Sequence, residues 1–107
     1  MFAVGARAFS AYTLLNPEQL ALREVAAQYV DEKIKPEAAE IDKSNTADIR
    51  RYMKDIGELG MIGVTVPEKY GGSELGYLEH VVIGEEISRG SPAVGMSYGA
   101  SANLCAN

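Results

Sequence analysis

Apolar residues recur at helical spacing along most of this chain, and one glycine-dense stretch from Met61 to Gly76 interrupts them. Side chains three and four positions apart share one face of an α-helix, so the spacing indicates amphipathic helices on both sides of the stretch. Hydrophobic residues make up 47% of the 107 residues, which suffices for one packed core. The pattern therefore predicts an all-α domain of about five helices, with an extended, glycine-rich loop between the third and the fourth.

Two predicted helices begin with the same capping chemistry. Asn16 precedes Pro17, and Gln19 follows three positions after the asparagine, as in a capping box. The last helix is predicted to begin in the same way, at Ser91-Pro92. The predicted apolar face of the first helix comprises Leu22, Val25, Ala26 and Tyr29.

Polar and proline breaks divide the next part of the chain. Pro36 either kinks the first helix or starts a short second one. Asn45 or Thr46 is the expected cap of the third helix, with Asp48 in its positively polarised first turn. Gly60 is expected to end that helix in a left-handed conformation. The predicted apolar face of this helix comprises Ile49, Tyr52, Met53, Ile56 and Leu59.

The glycine-dense stretch has two predicted parts. Met61–Pro67 is short, rich in β-branched residues and bounded by Gly and Pro, so we predict extended backbone there. Glu68–Gly76 is predicted to be a tight turn. Its glycines lack the spacing of a phosphate-binding loop, and no strand-to-helix unit surrounds them. We therefore interpret the turn as structural.

The fourth helix is predicted from about Tyr77 to Ser88 and contains the acidic pair Glu85-Glu86. Adjacent helical residues point about 100° apart, so this pair cannot form a facing acid–base site and is expected on a solvated surface. His80 is the only histidine, so we expect a surface or interface residue and no metal site. The predicted apolar positions are Leu78, Val81, Val82 and Ile87.

Charge and cysteine content exclude several classes of protein. The net charge of −5, without clustered Lys or Arg, argues against nucleic acid as a partner. No apolar run approaches the roughly 20 residues that span a bilayer. Cys105 is the single cysteine, which excludes an intrachain disulfide. We expect it to be a small buried hydrophobe and not a reactive thiol.

The predicted domain covers residues 16–107, and each end of the chain has an unusual feature. Met1–Leu15 contains Arg7 and no acidic residue, so it is either a mitochondrial targeting remnant or a disordered tail. The last helix reaches Asn107 without a cap or break. We therefore expect the domain to be incomplete at its carboxy-terminal end.

Small residues crowd the last predicted helix, which contains Gly95 and Gly99. Each glycine inside a helix costs about 1 kcal/mol relative to alanine. Either close packing against another helix or room for a ligand chain would explain this cost. The pattern alone leaves both explanations open.

Several segments resemble the acyl-CoA dehydrogenase family. Residues 59–73 (LGMIGVTVPEKYGGS) are similar to the family's pattern of LG, G, P and YGG after the third helix. Residues 75–81 (LGYLEHV), 85–89 (EEISR), 94–100 (VGMSYGA) and 103–105 (NLC) resemble the isovaleryl-CoA dehydrogenase branch of that family. The resemblance covers roughly residues 15–107.

The resemblance implies the first part of a three-part, FAD-dependent subunit that forms homotetramers. Such enzymes oxidise an acyl-CoA to the 2,3-enoyl-CoA and pass electrons to an electron-transfer flavoprotein. The branch implies a short branched substrate of leucine catabolism and a location in the mitochondrial matrix, with the bacterial cytoplasm as the alternative. The family's catalytic base and most of its FAD and CoA contacts correspond to positions after residue 107. No glutamate of this chain is therefore assigned as the base, and the chain alone is expected to be inactive.

The resemblance also assigns an acyl-pocket wall to the last helix, and this favours the ligand explanation for its small residues. Gly99 and Ala100 would leave width for a branched acyl chain. The sequence departs from the branch at Ser91-Pro92, at Ser101-Ala102 and at Met96, where leucine is more usual. A non-catalytic interaction module, an acyl-CoA dehydrogenase of other chain-length specificity and an acyl-CoA oxidase remain alternatives. The predicted wall comprises Met96, Ser97, Gly99, Ala100 and Leu104.

Overall fold

A computed structural model of the chain describes residues 14–44 and 48–106, and these are helical or turn-like with no strand. The α-helices are α1 Pro17–Tyr29, α2 Ala38–Lys43, α3 Ile49–Glu58, α4 Tyr77–Gly90 and α5 Pro92–Gly99. Val30–Ile34 and Ala100–Cys105 are π-helical, and Lys35–Glu37 and Glu68–Tyr70 form short 3-10 helices. The all-α prediction is confirmed. The predicted tail or targeting segment falls mostly on residues 1–13, outside the described residues.

Side-chain caps begin α1 and α5 as predicted. Asn16 Oδ1 accepts from the Gln19 backbone N–H at 2.8 Å, and Gln19 Oε1 accepts from the Asn16 N–H at 3.0 Å. Ser91 Oγ accepts from the Val94 N–H at 3.4 Å. These bonds satisfy backbone donors that have no partner within the first helical turn.

The start of α3 differs from the prediction. Asp48 is itself the cap, and its Oδ1 accepts from the Arg51 N–H at 3.4 Å. The prediction that Asp48 lies inside the first turn is therefore wrong. An aspartate caps as well as an asparagine, so the polar run did not fix which residue would do so. Asn45 and Thr46 lie outside the described residues.

The helix that begins with α1 continues past Tyr29 and changes its winding before Pro36. The π-helical Val30–Ile34 leads into a 3-10 turn that contains Pro36, and α2 follows directly. Both sequence alternatives thus hold in part, because the proline changes the helix and a short second helix begins just after it. The π-helical segment packs closely on α4, since a Cβ at Gly90 would lie 2.5 Å from Val30 Cγ1.

Helix α4 lies between α1 and α5 and contributes to the core with one face only. Val82, Ile83 and Ile87 are buried, whereas Leu78 and Val81 are about half exposed. The four apolar positions of the predicted helix are thus divided between core and surface, because residues 82, 83, 86, 87 and 90 of α4 face the neighbouring helices. The remaining core is formed by Ala26, Tyr29, Val30, Ile34, Ile41, Tyr52, Ile56, Met61, Val64, Val94, Tyr98 and Ala102.

The segment after α3 is a compact series of turns. Gly60 has the predicted left-handed conformation, with φ +76°. Met61–Pro67 is not extended as predicted: Gly63 has φ +72° and its carbonyl accepts from the Val66 N–H at 3.1 Å. A Cβ at Gly72 would lie 2.0 Å from the Val66 carbonyl oxygen, so the chain requires glycine where it folds back on itself. The close backbone approach gives Gly72 a structural role in this turn.

Candidate functional site

The five predicted wall residues all reach the surface of α5 and its π-helical continuation. We call this set the outer strip. Met96 is 79% exposed and Leu104 is 78% exposed. Ala100 is exposed, and Ser97 and Gly99 are half-buried. Their exposure leaves them accessible to a ligand or to further protein.

The exposed surface of the outer strip is almost entirely apolar. A Cβ placed on Gly99 would meet no atom within 4 Å, so the absence of a side chain there leaves open space. The only hydroxyl of the strip, on Ser97, donates to the Ala93 carbonyl at 3.2 Å. The surface therefore suits a hydrocarbon chain better than a charged group.

One turn before Gly99, at Gly95, α5 is closely packed against α4. Gly95 is buried, and a Cβ there would lie 2.2 Å from Ser88 Oγ and 2.9 Å from Ser88 Cα. Gly95 and Gly99 lie one helical turn apart on the same side of α5 and differ in what surrounds them. Gly95 permits close helix packing, whereas Gly99 faces open space. Close packing thus explains Gly95, and the ligand explanation stays a prediction for Gly99.

Tyr98 fixes the end of α5 in the core. The side chain is 1% exposed, and its hydroxyl donates to the Met61 carbonyl at 3.0 Å. The His80 ring stacks on the Tyr98 ring with centroids 5.4 Å apart, and His80 Nδ1 lies 3.3 Å from the Tyr98 hydroxyl. Burial raises the pKa of Tyr98, which keeps the hydroxyl protonated as a donor. Sequence reasoning predicted a surface or interface role for His80 and did not identify Tyr98.

The prediction that Glu85 and Glu86 both lie on a solvated surface is wrong for Glu86. Glu85 is exposed as expected, but Glu86 is 1% exposed. Its Oε1 lies 3.0 Å from Arg23 Nε of α1, and its Oε2 lies 2.7 Å from Arg89 Nε. Arg89 also contacts Asp31, at 3.0 Å, and this bond lowers the pKa of the aspartate. The buried carboxylate therefore joins α4 to α1 and does not lie on a solvated surface.

Three further expectations concern metals, membranes and the thiol. Within residues 14–44 and 48–106, no group of three His, Cys, Asp or Glu side chains is close enough to hold a metal ion. In the same ranges no helix combines the length and apolar character needed to cross a bilayer. Cys105 is exposed, so the prediction of a buried thiol is wrong. The π-helical turn places Ala102, and not Cys105, in the core.

Comparison with known proteins decides the family. The sequence profile described as "Acyl-CoA dehydrogenase, N-terminal domain" matches residues 16–107, which is most of the chain. The chain belongs to the acyl-CoA dehydrogenase family. Residues 16–44 and 48–106 are thus the described part of that family's N-terminal domain.

The acyl-CoA dehydrogenases that this chain resembles include two isovaleryl-CoA dehydrogenases and a related enzyme. The mitochondrial isovaleryl-CoA dehydrogenase of Pongo abelii is 53% identical over 94 residues, which are 87% of this chain and 22% of that protein. The Solanum tuberosum protein of the same name is 46% identical over 102 residues, covering 94% of this chain and 24% of that protein. The mitochondrial 2-methylacyl-CoA dehydrogenase of Solanum tuberosum is 43% identical over 102 residues, with the same coverage. The chain thus spans less than a quarter of the length of these relatives.

Acyl-CoA dehydrogenases in general depend on FAD, and neither the outer strip nor the turn at Gly72 fits the pyrophosphate of that cofactor. The pyrophosphate of FAD needs several converging N–H or cationic donors. The Ser97 hydroxyl of the outer strip is already bonded to Ala93, and the closely folded backbone fills the turn at Gly72. We therefore assign no FAD contact and no step of the oxidation to the outer strip or to this turn.

Proposed function

We propose that this chain forms the amino-terminal helical part of an FAD-dependent acyl-CoA dehydrogenase that oxidises a short branched acyl-CoA of the isovaleryl type. The observation that carries the proposal is the 43–53% identity to relatives whose names specify isovaleryl-CoA or a 2-methylacyl-CoA. Both names specify a branched acyl group. In this proposal the chain supplies a wall of the acyl pocket, and the catalytic base belongs to another part of the enzyme.

The outer strip provides the proposed wall. Met96 and Leu104 offer apolar surface to the acyl chain, while Gly99 and Ala100 leave width for a methyl branch. Removing each methylene of the substrate from water is worth about 0.8 kcal/mol, so a fitted wall distinguishes acyl groups that differ by one carbon. The described residues thus bind and orient the hydrocarbon tail and exclude water from it.

Exposed apolar residues on the neighbouring helix support a covered face. Tyr77, Leu78 and Val81 of α4 are each about half exposed, near one end of the packed α4–α5 pair. Large apolar residues grouped at a surface are typical of sites that contact ligand or further protein. We propose that substrate and the remainder of the enzyme cover this face.

The remaining parts of the proposal follow from the relatives. Because those enzymes are named mitochondrial, we propose the mitochondrial matrix as the location. The family implies a homotetramer and transfer of electrons to an electron-transfer flavoprotein. The isovaleryl substrate would place the reaction in leucine catabolism.

The test replaces Gly99 by leucine in the full-length, FAD-loaded enzyme. Open space around Gly99 lets the fold accept the larger side chain, which would then occupy the proposed acyl site. We expect kcat/KM for isovaleryl-CoA to fall by about tenfold or more, with a smaller loss for butyryl-CoA. Steady-state kinetics with the two substrates measures the difference.

Tyr29→Phe is the control for a loss of stability alone, because the Tyr29 hydroxyl donates to Asp55 between α1 and α3 and not to α5. This variant should lower stability and affect both substrates equally. Equal losses for the two substrates in Gly99→Leu, or no loss, would refute the assignment of Gly99 to the pocket. A full-length protein that oxidises no acyl-CoA would refute the function itself.

A further inference from the structure

We propose that Tyr98 and His80 are positioning residues for the acyl pocket: together they lock the end of α5 at the rotation that turns Gly99 and Ala100 toward the substrate. This inference rests on the proposed function, because it concerns the same pocket. Neither residue belongs to the outer strip. Each would act on the acyl group through the helix that carries the wall.

The Tyr98 side chain is held by three different contacts. Its hydroxyl donates to the Met61 carbonyl at 3.0 Å, so its one proton is committed to the loop after α3. The hydroxyl oxygen is then the acceptor for His80 Nδ1–H at 3.3 Å, which requires a proton on Nδ1. The rings stack with an interplanar angle of 23°. One phenol thus ties α5 both to α4 and to the loop.

Helix α4 is shaped to receive this ring. Gly84 lies opposite Tyr98, and a Cβ there would lie 3.6 Å from a ring carbon of the tyrosine. The small residue lets the ring lie close to the α4 backbone. His80 lies one turn earlier on the same face of α4 and provides the stacking surface. The ring is therefore held between two positions of one helix.

The position of Tyr98 in the sequence connects its contacts to the pocket. Tyr98 is followed at once by Gly99, and the helix widens into the π-helical turn Ala100–Cys105 directly afterwards. A π-helical turn reorients the side chains that follow it, and such turns occur often at functional sites. Val94, Tyr98 and Ala102 are the core residues of this segment, and Tyr98 is the one that makes side-chain hydrogen bonds across to other elements. The contacts of Tyr98 therefore determine the direction in which the neighbouring residues of the outer strip point.

The experiment uses the full-length, FAD-loaded enzyme with isovaleryl-CoA and butyryl-CoA as probes. Tyr98→Phe keeps the ring and removes both hydrogen bonds. We expect the ratio of kcat/KM for isovaleryl-CoA to that for butyryl-CoA to change by about threefold to tenfold, because displacement of a pocket wall affects the better fitted substrate more. His80→Phe keeps an aromatic ring for stacking and removes only the Nδ1 donor, so the ratio should shift in the same direction by less.

Tyr29→Phe is the matched control. Tyr29 is also a buried tyrosine, and its hydroxyl donates to Asp55 Oδ2 at 3.1 Å, between α1 and α3. This variant should lower Tm without changing the substrate ratio. A Tyr98→Phe enzyme that loses Tm and keeps the wild-type ratio would overturn the positioning role.

Two further outcomes are decisive. If Tyr98→Phe does not fold, His80→Phe decides the question, since His80 is only half-buried; an unchanged ratio in that variant would overturn the inference. A wild-type enzyme without acyl-CoA dehydrogenase activity would refute the proposed function and remove the basis of the inference. An active enzyme with unchanged ratios in both variants would refute the inference alone.

Discussion

Gly95→Ala and Gly99→Ala add the same methyl group to the same helix, and the structure predicts opposite changes in the free energy of unfolding. A Cβ at Gly95 would lie 2.2 Å from Ser88 Oγ, 2.9 Å from Ser88 Cα and 3.0 Å from Ser88 Cβ. The hydroxyl of Ser88 can rotate away, but its Cα belongs to the backbone of α4. The two helices would therefore have to move apart. At Gly99 the methyl group would meet no atom within 4 Å.

The expected magnitudes follow from two opposing effects. Replacing glycine by alanine inside a helix stabilises by about 1 kcal/mol. Overpacking a closely packed site costs about 1–3 kcal/mol. The clash at Gly95 lies at the upper end of that cost because backbone must move, so we expect a net loss of about 1–2 kcal/mol. Gly99→Ala incurs no such cost and should gain about 0.5–1 kcal/mol.

Equilibrium urea unfolding of the chain, followed by circular dichroism, measures both changes. The two variants should differ by about 2 kcal/mol, which is large against the total stability of a small domain. A double variant with Ser88→Ala should recover only part of the loss at Gly95, since the clash with the α4 backbone at position 88 remains. Equal effects at the two glycines, or a stabilising Gly95→Ala, would refute the distinction between a packed turn at Gly95 and an open turn at Gly99.

Two further predictions concern buried or bonded carboxylates and use the same unfolding measurement. Glu86→Gln removes the buried charge that Arg23 and Arg89 share, and it should lower the free energy of unfolding by about 3 kcal/mol. Glu85 is exposed, so Glu85→Gln should change the free energy of unfolding by less than about 0.5 kcal/mol. Similar losses in the two variants would contradict the buried ion pair. The hydrogen bond from Gln19 lowers the pKa of Glu79, so this carboxylate stabilises the fold above the unfolded-state pKa, about 4.3, and the contribution is lost as pH falls through the lower folded pKa. Glu79→Gln should therefore flatten the acid limb of the stability–pH curve, and an unchanged limb would refute this account.

Local chemistry was predictable from the sequence because it depends on neighbours in the chain. The capping box at Asn16 and the left-handed Gly60 follow from interactions within about four residues. Helical spacing likewise predicted the all-α class. The cap of α3 was misplaced because several adjacent residues have equivalent capping chemistry. The turns of Met61–Pro67 were taken for extended backbone because β-branched residues between Gly and Pro favour a strand unless the chain folds back on itself.

Tertiary positions were not predictable in the same way. Glu85 and Glu86 are identical in type and adjacent, and only the rotation of α4 against α1 makes one exposed and the other buried. Tyr98 lies in a run of small residues that indicates nothing about a hydrogen bond to Met61, 37 positions earlier. Such interactions depend on how helices dock, and periodicity determines only which residues share a face.

The two glycines of α5 show why small residues one helical turn apart can serve different purposes. Gly95 brings α4 and α5 close enough for the Tyr98 ring to reach both His80 and the Met61 carbonyl. One turn later, Gly99 leaves space that no described atom fills. In the proposed function, close packing at Gly95 is thus the condition for a rigid wall at Gly99, because a helix docked one methyl group farther away could not keep both hydrogen bonds of the tyrosine. A substitution at Gly95 should therefore change acyl selectivity as well as stability only if it also displaces Tyr98.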